Sequence, residues 1–347
     1  MRHTRLPAII LLVTLLAGCS NQETVFHDRF FALGTLVEVS IFGDDPGQAA
    51  RASEQLEQDL LTLQARWHAW QAGALTDTNE QLATLQPFTP DPALLPLLLE
   101  ANRLSQLSHG LFNPVIGQLI ATWGFHDNPL PVGTLPDSDT IATLVAQAPA
   151  VTDISFTGTQ ALNSNPAVRY DLGAFAKGYA VDRAIDRLRE FGIENAIVNA
   201  GGDLRAIGQH GNRPWRIGIR QPRQGGILAS IELQGDASVF TSGDYERFFE
   251  VDGKRYHHII DPRNGYPAEG TVSVTVVHEN AATADAAATA LFVAGRDNWV
   301  EPARTMQVEL VMLIDTDGVI HMNPAMRSRI QFEPGVTAEI SLSEPLS

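Results

Sequence analysis

The second half of the chain carries short strand-like runs that do not each lead into a helix. Apolar, β-branched stretches fall at 196–199, 215–220, 227–233, 256–260 and 272–277, with helices predicted over 176–191 and 281–294. A doubly wound sheet needs strand and helix in regular alternation, so this order points instead to an α+β fold. A closing pair, 308–314 and 319–322, flanks Asp315-Thr316-Asp317-Gly318, a good hairpin turn. With no internal repeat and no long linker, one large mixed domain is expected.

The first half reads more coarsely. Residues 24–42 alternate like a strand broken at Gly34-Thr35. A helix is predicted over 49–70, with Leu56, Leu60, Leu63, Trp67 and Trp70 on one face, followed by a loop through Gln81. Asp91-Pro92 should open a Leu-rich helix that ends near His109-Gly110. Residues 128–159 are rich in Pro, Asp and Ala and are expected at the periphery. In the helix over 176–191, Ala180, Ala184, Leu188 and Phe191 face inward, and Gly192 is its stop.

The N-terminus is a separate unit. Arg2 and Arg5 precede an apolar run over 6–17, too short for a comfortable membrane span, which ends in Leu16-Ala17-Gly18-Cys19. That ending resembles a bacterial lipobox, and Cys19 is the sole cysteine of the chain. The expected division is a lipoprotein signal peptide over 1–18, a tether over 19–28, a catalytic domain over 29–335 and a tail over 336–347. The mature chain would be lipidated at Cys19 and held outside the cytoplasm. One cysteine also excludes an intramolecular disulfide and a Cys-rich zinc site. Acidic residues number 40 against 24 basic ones, a net charge of -16, which disfavours general nucleic-acid binding.

Four clusters could carry chemistry, all expected in turns or at helix starts. Asp171-Leu172-Gly173-Ala174-Phe175-Ala176-Lys177-Gly178 leads into a helix whose free N–H groups suit an anion. Lys177 is one of two lysines in the chain and sits in the first helical turn, where a cation is unhelpful unless an anionic ligand faces it. A capping Asp171 with a solvated Lys177 is the alternative. Asn199-Ala200-Gly201-Gly202-Asp203 taken alone reads as a plain β-turn. Thr241–Arg247 and His257–Pro267 follow. Adjacent histidines on a strand point to opposite faces, so one of His257 and His258 faces a site and the other is structural. Last, Asp285 and Thr289 stand at i and i+4 among alanines that let another backbone approach. A carboxylate with a hydroxyl suits a hard cation such as Mg²⁺, and a buried Asp–Thr hydrogen bond is the alternative.

Together and in this order, the clusters resemble the FAD:protein FMN transferases of the ApbE family. The matching stretches are Leu33-Gly34-Thr35, Trp67–Trp70, Phe112–Gly117, Asp171–Gly178, Asn199–Asp203, Ser242–Arg247, His258–Gly265 and Ala284–Thr289, spanning residues 31–295. The resemblance implies a T-fold-like α+β catalytic domain. It also implies transfer of the FMN half of FAD to a Thr or Ser hydroxyl of an acceptor protein, with Mg²⁺ required and AMP released. By that analogy Asp285, Thr289 and the Ala174 carbonyl hold Mg²⁺, and Lys177 adds positive potential at the pyrophosphate. His258 is the candidate base, since its ordinary pKa is close to working pH. Leu33, Trp70, Leu111, Phe112, Asn113, Asp171, Lys177 and Ile260 line the FAD pocket, with Trp70 suited to stacking on a flat ring.

Departures from the family pattern are Leu33 for Met, Asn113 for Asp, Asn264 for Thr, and Ala288 where some members carry a second Asp. The implied acceptors are subunits of membrane redox complexes, and the implied location is the periplasmic face of the inner membrane. Ser20 would also permit the outer membrane. Two other functions are alternatives: an FAD-binding lipoprotein without transferase activity, which would keep the pocket and lose the metal or base, and a Mg²⁺-dependent FAD pyrophosphatase giving FMN and AMP, which needs the same site.

Overall fold

The structure, a computed structural model, describes residues 25–127, 129–130 and 133–346. Cys19 and the signal segment lie outside the described residues. In chain order the first elements are β1 (Val25–Ala32), β2 (Thr35–Phe42), α1 (Pro46–Trp67), α2 (Ala74–Ala83), α3 (Leu95–Leu107), α4 (Gly117–Thr122) and α5 (Ser138–Ala146). Next come β3 (Ile154–Thr157), β4 (Gln160–Asn163), α6 (Ala176–Glu190), β5 (Ala196–Ala200), β6 (Asp203–Ile207), β7 (Trp215–Arg220) and β8 (Ile227–Leu233). They are followed by β9 (Ala237–Gly243), β10 (Phe248–Val251), β11 (Lys254–His257), β12 (Thr271–His278), α7 (Ala281–Ala294) and α8 (Val300–Thr305). The chain closes with β13 (Leu310–Asp315), β14 (Ile320–Met322), α9 (Pro324–Arg329), β15 (Ile330–Phe332) and β16 (Ile340–Leu342). Among the described residues no helix is long and apolar enough to cross a membrane.

One nine-stranded sheet organises the molecule, in the order β1-β2-β5-β6-β9-β12-β13-β14-β16. Every neighbouring pair is antiparallel except β14 with β16. The α+β expectation therefore holds, with hairpins rather than crossovers supplying most of the sheet. Val37, Val39 and Ile41 alternate onto one face, where they meet α1, α6 and α7 in the main core. The opposite face is covered by the small sheet β15-β8-β7, through Trp215, Ile217, Leu228 and Ile231. A third cluster gathers Ile116, Leu119, Trp123, Phe125, Ile141, Phe249 and Ile260 beneath α4 and α5.

Several boundaries differ from expectation for identifiable reasons. The loop expected through Gln81 contains α2, because Asn79 exchanges hydrogen bonds with the Tyr170 backbone (2.9 and 2.7 Å) while Leu75 and Leu82 are buried. Tertiary pairing outweighs weak local propensity there. The helix expected to 70 ends at Trp67, which frees Trp70 from its face. Asp91 caps a turn through Ala93 N–H (2.7 Å), and α3 starts only at Leu95. The strand expected over 256–260 is Lys254–His257, leaving His258 just beyond its end. The segment expected at the periphery holds α5, whose Ile141 is buried against the Gly265 turn. Residues 25–28, placed in the tether, begin β1, and part of the expected tail forms β16 against β14.

Helices α6 and α7 pack closely. A β-carbon on Gly178 would stand 2.3 Å from the Ala281 carbonyl oxygen and 2.8 Å from the Asp285 β-carbon. Asp182, one turn further along α6, accepts the Ala281 and Ala282 N–H groups, both at 2.9 Å, so α6 caps the start of α7. Gly178→Ala should therefore destabilise the protein by about 1–3 kcal/mol through overpacking, despite a helix-propensity gain of roughly 1 kcal/mol. Urea unfolding measures this, and an unchanged or raised midpoint would contradict the close approach.

Candidate active site

The chemistry-bearing clusters meet at one end of the large sheet. The β1–β2 turn with Leu33, the β5–β6 turn with Asp203 and the end of β9 with Ser242 come there through strand register, and α6 starts above them. Gly201 takes φ +70 and donates its N–H to the Leu36 carbonyl (3.0 Å), which brings the two turns together. The cluster expected wholly in turns is thus partly strand, since Thr241–Gly243 belongs to β9.

Lys177, in the first turn of α6, forms an ion pair with Asp203, and its charge also reaches Asp285. The anions facing Lys177 in this structure are protein carboxylates. They hold the ammonium above its ordinary pKa although burial opposes them. Asp203 is itself fixed by the Thr241 N–H at 2.8 Å. Sequence reading missed Asp203, because the turn it closes is indistinguishable from an ordinary β-turn until Lys177 is placed beside it.

Asp285 is buried on α7 and accepts the Gly178 N–H at 2.9 Å. Burial is the largest influence on its carboxyl and raises its pKa to about 7, with Asp203 adding repulsion and Lys177 opposing both. Such a desolvated carboxylate is short of positive charge. Thr289 lies 3.2 Å from the Ser242 hydroxyl, hydroxyl to hydroxyl. Among the described residues, no three His, Cys, Asp or Glu side chains stand together as metal ligands. One carboxylate, one hydroxyl and the Ala174 carbonyl in the turn before α6 fit Mg²⁺ better than an ion needing a full protein cage. Mg²⁺ commonly takes its other ligands from phosphate and water.

Asp171 does not cap α6; Phe175 occupies that position. Asp171 instead takes the Trp70 indole N–H at 2.8 Å and the Gly173 N–H at 2.9 Å, joining Trp70 to the glycine turn. The Trp70 ring carries the Arg169 guanidinium at 4.4 Å and the His126 ring at 4.4 Å. Here protein groups occupy the surface read as a stacking platform. Leu111 and Phe112 follow α3, with Phe112 buried and its N–H on Ser108 Oγ at 3.1 Å. Ile260 is buried with Ile116 and Leu119, and bridges Pro267 across the Asp261–Gly265 turn.

The two histidines have different surroundings, though only His257 belongs to β11 and His258 follows its end. His257 is buried, with Nε2 at 2.9 Å from the Ala268 carbonyl and its ring edge-on to Phe292. His258 is half-buried, with Nδ1 at 3.2 Å from the Arg247 carbonyl. Loss of hydration, then the neighbouring His257, pushes its pKa down to about 3. The imidazole is therefore neutral across the working range, and no acid limb near its ordinary value of about 6.5 is expected of it.

The ApbE family model matches residues 33–312, most of the chain. The chain belongs to the ApbE family. It is 42% identical over 316 residues to a protein of Rhodobacter capsulatus named FAD:protein FMN transferase, covering 91% of this chain and 60% of that relative's length. It is 32% identical over 309 residues to one of the same name from Vibrio cholerae, covering 87% and 91% respectively. A crystal structure of the ApbE protein of Thermotoga maritima superposes with TM-score 0.79 at 32% identity, covering 88% of this chain and 99% of that one.

The departures from the ApbE pattern have local accounts. Asn113 donates to the Pro149 carbonyl (2.9 Å) and accepts the Val115 N–H (3.0 Å), and an ionised Asp could do only the second. Asn264 accepts the Tyr266 N–H at 2.8 Å within the Asp-Pro-Arg turn. Ala288 is buried in the core, where a second carboxylate would need a partner.

A pH prediction follows from His258. Its folded pKa lies below its unfolded one, so the unfolded chain binds the extra proton, and stability falls as pH drops from about 6.5 toward 3. The His258 ring-proton resonance should not shift between pH 8 and 5, and His258→Asn should flatten part of the acid-stability slope. A titration midpoint near 6.5 in the folded protein would contradict its neutral state.

Proposed function

We propose that this chain is a Mg²⁺-dependent FAD:protein FMN transferase. The acceptor's Thr or Ser oxygen attacks the phosphorus on the FMN side of the FAD pyrophosphate. The bond from that phosphorus to the bridging oxygen breaks, AMP leaves, and a phosphodiester joins FMN to the acceptor. The hydroxyl proton passes to the neutral His258 at Nε2 as the new phosphorus–oxygen bond forms and makes that proton acidic. Lys177 and the start of α6 supply positive potential at the pyrophosphate. Asp285, Thr289 and the Ala174 carbonyl would hold Mg²⁺, which when bound neutralises phosphate charge. Leu33, Trp70, Leu111, Phe112, Asn113, Asp171 and Ile260 are the proposed FAD contacts.

The observation that carries this reading is the cluster of Asp285, held by the Gly178 N–H, with the Lys177–Asp203 ion pair acting on it. A buried carboxylate raised to about 7 beside a lysine is an arrangement kept for chemistry rather than for stability. The proposed setting is a Cys19 lipid anchor on the periplasmic side of a membrane, with acceptors drawn from membrane redox complexes.

Incubation with FAD and Mg²⁺, with and without a co-expressed acceptor, tests the reaction by mass spectrometry of the acceptor. Covalent FMN with AMP release is the expected result. Flavin that is merely bound, or free FMN and AMP alone, would overturn it in favour of a binding protein or a pyrophosphatase. Asp285→Asn should lower transfer at least about 100-fold with the fold intact, and Thr289→Val should cost less. Unchanged turnover and Mg²⁺ dependence in Asp285→Asn would remove that residue from the metal site. Cys19→Ala should move the protein from the membrane fraction to the soluble one without loss of activity on a soluble acceptor.

A further inference from the structure

Arg247 is a residue that the proposed reaction does not use. It lies in the turn between β9 and β10, immediately before Phe248, at the open end of the β10–β11 ladder. Its carbonyl oxygen accepts two bonds from one residue, the His258 N–H at 3.0 Å and the His258 ring at Nδ1, 3.2 Å. A carbonyl oxygen can only accept, so the ring nitrogen facing it must carry the proton. Its guanidinium donates to the Phe125 carbonyl (3.0 Å) and to the Asp127 carbonyl (2.8 Å). The Phe125 ring in turn meets the His258 ring edge-on, 6.5 Å between centroids. Guanidinium, loop, phenyl ring, imidazole and carbonyl thus close a circuit around His258. The residue between the two bridged carbonyls, His126, is the one that rests on Trp70.

We propose that Arg247 is a positioning residue for His258: its carbonyl fixes the Nδ1–H tautomer, and its guanidinium holds that carbonyl in place by bridging to residues 125–127. Nε2 is then left as the free basic nitrogen. This deepens the reading of His258 as the base and rests on it. Without the guanidinium anchor the turn relaxes, the carbonyl leaves Nδ1, and the proton redistributes between the two ring nitrogens. A general base whose proton sits on the wrong nitrogen cannot accept another there. An arginine that merely tidies a surface loop would leave the tautomer alone.

The test is long-range proton–nitrogen correlation on the ¹⁵N-histidine-labelled full chain, with His258→Asn to assign the signal. The wild type should show the proton on Nδ1. Arg247→Ala should shift His258 toward the Nε2–H form and slow single-turnover FMN transfer on the order of 10- to 100-fold. FAD affinity should stay within about threefold, since no FAD contact is removed. Arg247→Lys, which offers a compact ammonium in place of the fork, should fall between the two and carries the test if Arg247→Ala does not fold. An Nε2–H tautomer in the wild type, or an unshifted tautomer in both variants, overturns the proposal. If the tautomer shifts in Arg247→Ala but neither that variant nor His258→Asn slows transfer, the base reading fails while the positioning of the ring by Arg247 is upheld.

Discussion

The close approach of α6 to α7 at Gly178 sets the distances on which the site depends. Without a side chain at 178, the Ala281 backbone and the Asp285 β-carbon press against α6. The same contact delivers the Gly178 N–H to the Asp285 carboxylate and sets Lys177 beside it. Ala281, whose carbonyl lies against Gly178, serves that approach at the head of α7. Asp182, bound to the N–H groups at the head of α7 and paired with the buried Arg205, fixes the register of the two helices. Packing and electrostatics are here one arrangement.

That arrangement burdens the folded state. Burying Asp285 near Asp203 crowds two carboxylates around a single lysine. Such a group costs stability unless something completes it. In the proposed reaction, Mg²⁺ would bring the missing positive charge and the pyrophosphate would share it, so substrate and metal would each bind better in the other's presence. His258 shows the opposite design. Its surroundings disfavour the charged imidazolium and keep the ring neutral.

Much of this was legible in sequence where a motif and a physical signal coincided. The Asp285/Thr289 spacing and the helix start at Lys177 each imposed a geometry that the structure bears out, whereas the strand expected to carry both His257 and His258 ends at His257. The strands were legible where apolar alternation was clean, as in Trp215–Arg220 and Ile227–Leu233. What stayed hidden depends on partners far along the chain. Helix α2 is held by Asn79 on Tyr170, the role of Asp203 needs Lys177 beside it, and Trp70 is aimed by Asp171. None of these pairs has a local spacing to betray it.

The central claim is that the buried Asp285 carboxylate links metal and flavin binding. Equilibrium FAD binding with and without Mg²⁺, followed by tryptophan fluorescence in the wild type and in Asp285→Asn, tests it directly. The account predicts that Mg²⁺ tightens FAD binding about 5- to 150-fold in the wild type, and that the coupling collapses toward unity in the variant. An equal Mg²⁺ effect in both proteins would contradict it.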